Sequence, residues 1–200
     1  MGPEYPFRKI RYPSGMAIPV TASWTNLAAG EKRERLLAAA EALFARDGLD
    51  APMPAIAAAA GAGVGSLYRQ FPSKEELVAA LALKRLAHID TELDAALAAA
   101  EPWAGLERFF WRVLEPYACD DLIAQAIATA SEHTEVVAAR DGVAAKVDRL
   151  LDAARVAGTV RRDATGLDVH LVFVAARAAR GVEPDAWRRM VTLALDGLRV

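Results

Sequence analysis

From about Leu27 onward, large apolar side chains recur every three or four residues, the spacing that gathers them on one face of a helix. Leu36, Leu37, Ala40, Leu43 and Phe44 mark such a face over roughly 28–46, and Gly48 supplies a stop. A long helix is predicted to begin at Ser73, where Ser73 and Glu76 have the S-x-x-E spacing of a capping box. Its face runs through Leu77, Leu81, Leu86 and Leu93, and it ends before Pro102. Further helices are predicted at about 103–118, 121–131, 134–157, 164–180 and 185–198, with a turn at Gly158 and a break at Gly181 and Pro184. No strand-like alternation runs longer than a few residues and no repeat is present, so the fold class is all-α with about nine helices.

Alanine makes up more than a fifth of the chain, which favours helix intrinsically but leaves the faces legible only from the larger residues. With 200 residues, 54% of them hydrophobic, the chain can bury a substantial core. No apolar stretch long enough to cross a bilayer is free of charges. Residues 1–24, with Pro3, Pro6, Pro13 and Pro19, read as a disordered or extended tail and not as a signal peptide. Arg8, Lys9 and Arg11 in that tail suit an arm along a phosphate backbone or in a minor groove; the alternatives are a solvated tail or a true start at Met16. A single cysteine, Cys119, excludes an internal disulfide, and these features together predict a cytoplasmic protein with no membrane partner.

The segment Met53 to Phe71 carries the most specific chemistry. Ile56, Ala57 and Ala60 form the inner face of one short helix, and Val64, Leu67 and Phe71 that of a second. Gly61 lies between them, where the turn needs a backbone conformation costly for residues with a Cβ. Gly65, Ser66, Tyr68, Arg69 and Gln70 are left on or beside the outer face of the second helix. Two short helices, a glycine turn and polar donors on the second describe a helix-turn-helix. The charge is distributed accordingly. Residues 1–88 hold 11 Lys and Arg against 8 Asp and Glu, and residues 89–200 hold 13 against 18, within a net charge of −2.

The run Gly65-Ser66-Leu67-Tyr68-Arg69-Gln70-Phe71-Pro72-Ser73-Lys74-Glu75-Glu76-Leu77 resembles the signature of TetR-family regulators, and Leu43–Gly48 and Ile56–Gly61 match in register. The resemblance, spanning Leu36 to Leu81, implies a DNA-binding domain over about 25–80 and a ligand-binding and dimerisation domain over 81–200. It implies that Tyr68 and Lys74 contact phosphate, positioning the protein without reading sequence. Ser66, Arg69 and Gln70 would face the major groove, with Arg69 donating to a guanine edge and Gln70 pairing with an adenine. Val64 and Gly65 would permit close approach, Val64 against a thymine methyl. The bland alternatives are Tyr68 packed on the first helix and Arg69 and Gln70 simply solvated. One departure stands out: Pro52 and Pro54 flank Met53 where the family has a capping Thr that touches phosphate. The first-turn contact is therefore expected to be weak or made by backbone amides.

The second half is expected to hold a homodimer surface on the last two helices. Leu171, Val174, Ala175 and Ala178 form one side, and Trp187, Met190, Val191, Ala194 and Leu198 the other; the alternative is that they close the monomer core. Trp103, Phe109, Phe110, Trp111 and Tyr117 crowd together, and with His88 and His133 they are candidates to line a pocket for an unknown small-molecule effector. Core packing is the competing reading for these aromatics. The three histidines lack metal-ligand spacing, so no metal and no cofactor is predicted. No phosphate loop, nucleophile elbow or H-E-x-x-H motif is present, and no enzyme activity is expected. The function predicted is a ligand-released repressor on a palindromic double-stranded DNA operator. The alternative is a helical ligand- or protein-binding module with a degenerate DNA-binding head.

Overall fold

The computed structural model describes residues 23–115 and 121–200. These form an all-α fold in which the described residues make nine helices and no strand. In chain order they are α1 (Ala29–Asp47), α2 (Met53–Ala59), α3 (Val64–Gln70), α4 (Lys74–Leu97), α5 (Pro102–Leu114), α6 (Asp121–Thr129), α7 (Thr134–Val156), α8 (Gly166–Ala179) and α9 (Ala186–Leu198). Arg8, Lys9, Arg11, Tyr117 and Cys119 lie outside the described residues. The last part of the expected tail is ordered, because Trp24–Asn26 forms a 3-10 turn and Trp24 packs on the amino-terminal core.

The helix ends follow from local chemistry. Ser73 Oγ accepts a hydrogen bond from the Glu76 amide (3.2 Å), capping α4. The Glu76 carboxylate does not turn back toward the cap; it lies 3.6 Å from His133 Nε2, at the start of α7. Only half of the expected capping box therefore operates, and its acidic member joins two parts of the molecule. At α8 the acidic half of such a box operates: the Thr165 amide and hydroxyl both donate to Asp168 Oδ2, at 2.7 and 2.8 Å. Gly48 ends α1 with φ +78°, a conformation that suits glycine alone at little cost.

Two cores share α4. The first buries Leu36, Phe44, Ile56, Leu67, Phe71 and Leu77, continues along α4 to Leu86, and is closed by Ala126 of α6, Ala130 just beyond it and Val136 of α7. The second buries Leu93, Leu106, Phe109, Phe110, Leu150, Leu151, Trp187 and Val191. Lys146 of α7 sits 2.7 Å from both Asp90 and Asp94 of α4, holding the two longest helices together. Near the chain end, the Arg161 amide donates to the Leu198 carbonyl (3.0 Å), fixing α9 to the loop after α7.

The α8–α9 pair corrects part of the expected dimer surface. Trp187, Val191 and Leu198 are buried within the body. Trp187 meets Trp111 edge to face at 5.9 Å, between the guanidinium groups of Arg180 and Arg188. They belong to the monomer core because α9 needs one apolar stripe to fold against α5 and α8. The exposed side of the pair instead presents Leu167, Leu171, Val174 and Ala178 on α8 and Leu193 on α9, with Ala175, Met190 and Ala194 half-buried beside them.

Candidate nucleic-acid interface and effector cavity

The turn between α2 and α3 is built around Gly61. The Ala62 amide donates to Ala57 O (2.8 Å) and the Gly61 amide to Ala58 O (3.0 Å), the paired bonds of a Schellman motif. Gly61 takes φ +67°, and a Cβ there would also approach the Arg35 guanidinium at 3.2 Å. Leu67 and Phe71 then anchor α3 in the core. Val64, assigned by spacing to the inner face, is 41% exposed: it stands at the first turn of α3, outside the reach of the core.

The outward side of α3 carries Val64, Gly65, Tyr68 and Arg69 exposed, with Ser66 and Gln70 half-buried at its edges. Tyr68 is 45% exposed and is not packed away on α1. Arg69 donates from Nη2 to Ser66 Oγ at 2.9 Å, so the two candidate base-reading groups form one hydrogen-bonded unit. Lys74 begins α4 at the next corner, its ammonium 5.9 Å from the Phe44 ring centre. Six of the seven candidate residues thus lie on α3 and the seventh, Lys74, on the first residue of the next helix.

Two contributors to this surface went unassigned in the sequence. Lys32, with Trp24 and Ala29, walls a hollow against Ser66, Arg69 and Gln70. Arg33 lies over the Phe71 ring at 4.4 Å and donates to Gln70 O at 3.3 Å, propping the end of α3. The signal for them was the cluster Lys32, Arg33 and Arg35 at the start of α1, whose direction only the fold reveals. The proline-flanked α2 behaves as its chemistry dictates. Pro54 has no N–H, and the Ala55 amide already donates to Pro52 O at 2.9 Å. Met53 therefore keeps the one amide of that first turn with no bond among the described residues, so backbone compensation for the missing cap is small.

In the body, α4, α5, α6, α7 and α8 enclose a cavity of about 950 Å³ that is open to solvent. Its walls include Leu86, Ile89, Phe109, Val113, Val143 and Phe173. Of the aromatics and histidines expected there, Phe109 is the one that lines it among the described residues. Phe110 is fully buried and stacks on Phe173 at 5.4 Å. Trp111 turns to Trp187, and Trp103 packs under Arg199 at 5.2 Å. His133 faces Glu76, and His88 does not line the cavity. The clustering of aromatics in sequence had a simpler cause: α5 turns successive rings to different sides, and one side reaches the cavity. Phe173, His170, Arg85, Arg140, Arg177 and Arg180 complete a lining that crowding in sequence could not reveal.

The family model for bacterial regulatory proteins of the TetR family matches residues 36–81, and that for the carboxy-terminal domain of SbtR-like transcriptional regulators matches residues 101–200. The chain belongs to the TetR family of transcriptional regulators. Among solved structures, the TetR regulator SCO0520 of Streptomyces coelicolor is 30% identical, with a TM-score of 0.62 over 84% of this chain and 98% of that one. A TetR regulator from Mycobacterium vanbaalenii is 32% identical, with a TM-score of 0.60 over 86% and 96%. SmeT in complex with triclosan is 25% identical, with a TM-score of 0.65 over 84% and 89%. The transcriptional repressor KstR of Mycobacterium tuberculosis is 31% identical over 124 residues, 61% of this chain and 56% of KstR, so the chain spans just over half of that relative. As in other members of the family, the helix-turn-helix precedes a larger helical body. Among the described residues no helix is long and apolar enough to cross a membrane, and no group of three or more His, Cys, Asp or Glu is arranged to hold a metal.

Proposed function

We propose that this TetR-family regulator is a ligand-released repressor that binds a palindromic operator as a homodimer and leaves it when a small apolar or aromatic molecule fills the body cavity. One observation carries the reading: the same helices touch both the reading head and the cavity. α4 starts with Lys74 beside α3 and lines the cavity with Leu86 twelve residues later, about 18 Å along the helix. α6 sets Ala126, and Ala130 just past its end, into the amino-terminal core while Ile127 and Ala128 line the cavity. A molecule that displaces α4 or α6 therefore also shifts α3, and a ligand favouring the shifted state lowers operator affinity by its differential affinity for the two states.

Two copies are needed because one seven-residue recognition helix reads only a few base pairs. The exposed stripe of Leu167, Leu171, Val174 and Ala178 with Leu193 supplies an apolar, symmetric surface for pairing. Relatives support the reading: KstR is described as a repressor, and SmeT is known in complex with triclosan. In this assignment Arg69, held by Ser66, and Gln70 read bases, Tyr68 and Lys74 hold phosphates, and Val64 and Gly65 let the backbone come close.

The test is a gel shift with duplexes selected from a random pool. A palindromic consensus, bound with steep salt dependence and read by two heads, is expected. Weak retention blind to sequence would instead favour a helical binding module with a degenerate head. Release of the selected operator by molecules that bind the cavity, and not by those that do not, completes the test.

A further inference from the structure

The exposed residues that line the body cavity fall mainly in two rows: Arg140, Ala144 and Asp148 on α7, and Leu167, His170 and Val174 on α8. Within each row the residues recur at three or four, so each row follows one edge of its helix. At 1.5 Å per residue the rows run about 12 Å along α7 and about 10 Å along α8, as the two rims of one slot. The α8 rim has a second property, because α8 is apolar on two sides. Val169, Val172 and Ala176 are buried against the body. Leu167, Leu171, Val174 and Ala178 are exposed, at successive spacings of four, three and four. That is the a/d spacing of a helix seam that packs against another helix, here over about 16 Å. One apolar stripe suffices for a helix that only closes its own core, so the second stripe requires a second neighbour. Two members of that stripe, Leu167 and Val174, are also rim residues of the slot.

We infer that a second copy of this chain completes the cavity: its α8, packed on the exposed stripe, roofs the slot between α7 and α8, so that an effector is enclosed by both protomers. This rests on the chain being a homodimer with its effector in this cavity. A second copy is the occupant because the seam is its own complement. About a two-fold axis the same apolar stripe meets itself, and the small Ala178, with half-buried Ala175 beside it, lets the two backbones approach. The seven-residue α3 calls for the same second copy on the operator. The shared rim has a thermodynamic consequence. A molecule in the cavity meets Leu167 and Val174 from one side while the partner meets them from the other, so occupancy and the packing of the protomers are linked. Each then changes the other's affinity by the same factor. A ligand thereby alters the separation of the two recognition helices through the interface as well as through α4.

Cysteine labelling of the full-length protein tests the closure without the effector. Cys119 is the only cysteine, so a Cys119→Ser background carries single introduced sites. Ala144→Cys lies on the α7 rim, whereas Ala145→Cys is exposed one residue on and does not line the cavity. Reaction with a maleimide is timed in the dimer and in the Leu171→Glu variant, whose altered side chain is not part of the cavity wall. Ala144→Cys should react at least about tenfold more slowly in the dimer, because a roofed site reacts only during transient opening, and Ala145→Cys about equally in both. Equal rates at Ala144→Cys, or the same slowing at Ala145→Cys, overturn the roof and leave the homodimer standing. Light scattering on the same samples separates that result from the other failure. A parent chain with the mass of one protomer, or a Leu171→Glu variant that keeps the dimer mass, removes the homodimer along this stripe and the roof with it. Should Leu171→Glu not fold, the Ala144→Cys dimer is instead diluted until its mass falls to that of the protomer. Its rate should then rise by the same factor, and a rate independent of dilution overturns the proposal.

Discussion

Replacing Gly105 by alanine should destabilise the protein, although alanine is the better helix former. Gly105 lies in the first turn of α5, against the end of α4, where an added Cβ would sit 2.4 Å from the carbonyl oxygen of Ala96. It would also lie 3.2 Å from the Ala96 carbonyl carbon and from Ala99 Cβ. A carbon and a carbonyl oxygen rest no closer than about 3.3 Å, so α5 must retreat by about 0.9 Å. Backbone, unlike a flexible side-chain tip, cannot step aside locally. Overpacking of this kind costs about 1–3 kcal/mol, against about 1 kcal/mol gained from helix propensity. Gly142, in the middle of α7, provides the control, since a Cβ there meets nothing within 4 Å. The propensity gain is common to both variants, so their difference isolates the clash at about 2 kcal/mol. For a chain of this size that separates the melting temperatures by about 4–8 °C, measured by calorimetry at one fixed protomer concentration. Gly142→Ala should melt at or above the wild type and Gly105→Ala below it. If Gly105→Ala melts with Gly142→Ala, the α4–α5 approach is not as tight as described. A retreat of α5 would also move Phe109, one turn on, so the same variant should weaken any molecule bound in the cavity.

Arg69→Ala should cost about 1–3 kcal/mol on the preferred operator and relax base preference at one position, whereas Lys74→Ala should weaken all sequences alike and reduce the salt slope by about one; quantitative gel shifts over a salt series compare them. Leu171→Glu, on the exposed stripe of α8, should shift the mass measured by light scattering toward the monomer and abolish operator binding while leaving the helical content unchanged. Trp187→Ala, by contrast, should lower stability by about 3–5 kcal/mol, because its ring is buried. The Asp168 carboxyl is held below its ordinary range, first by the Thr165 hydroxyl and then by the Thr165 amide. Its contribution is therefore complete above the unfolded carboxylate value of about 4 and is lost as pH falls through the lower folded value. Denaturant titrations from pH 6 downward should show a shallower loss for Asp168→Asn than for the parent chain.

How much of this was legible in the sequence differs between the two sites. The recognition helix was readable because its chemistry is local: within one helix, spacing decides which residues share a face, and Leu67 and Phe71 turned inward as a period of 3.6 requires. Gly61 was readable for the same reason, since its positive φ is a property of one turn. Val64 broke the pattern because at the first turn of a helix the neighbouring core no longer reaches the side chain. Lys32 and Arg33 went unassigned because their nearness to α3 spans some forty residues of sequence.

The cavity was not legible. Five helices wall it, each contributing residues whose neighbours in sequence point elsewhere: Phe109 lines it while Phe110 and Trp111 do not, and Arg85 lines it while Lys84 beside it pairs with Glu34 and Glu41 of α1. Likewise, Trp187 and Leu193 both sit on an apolar-looking helix, yet packing against Trp111 and the loop after α7 buried one side and left the other exposed. Spacing and capping over a few residues made the order of the helices, most of their starts and the helix-turn-helix legible, and the run Gly65 to Leu77 carried the family, whereas α5, expected to reach 118, ends at Leu114. Which apolar face became core, which stayed exposed, and which arginines line the cavity depended on the fold, because those outcomes follow from how separate helices share buried surface.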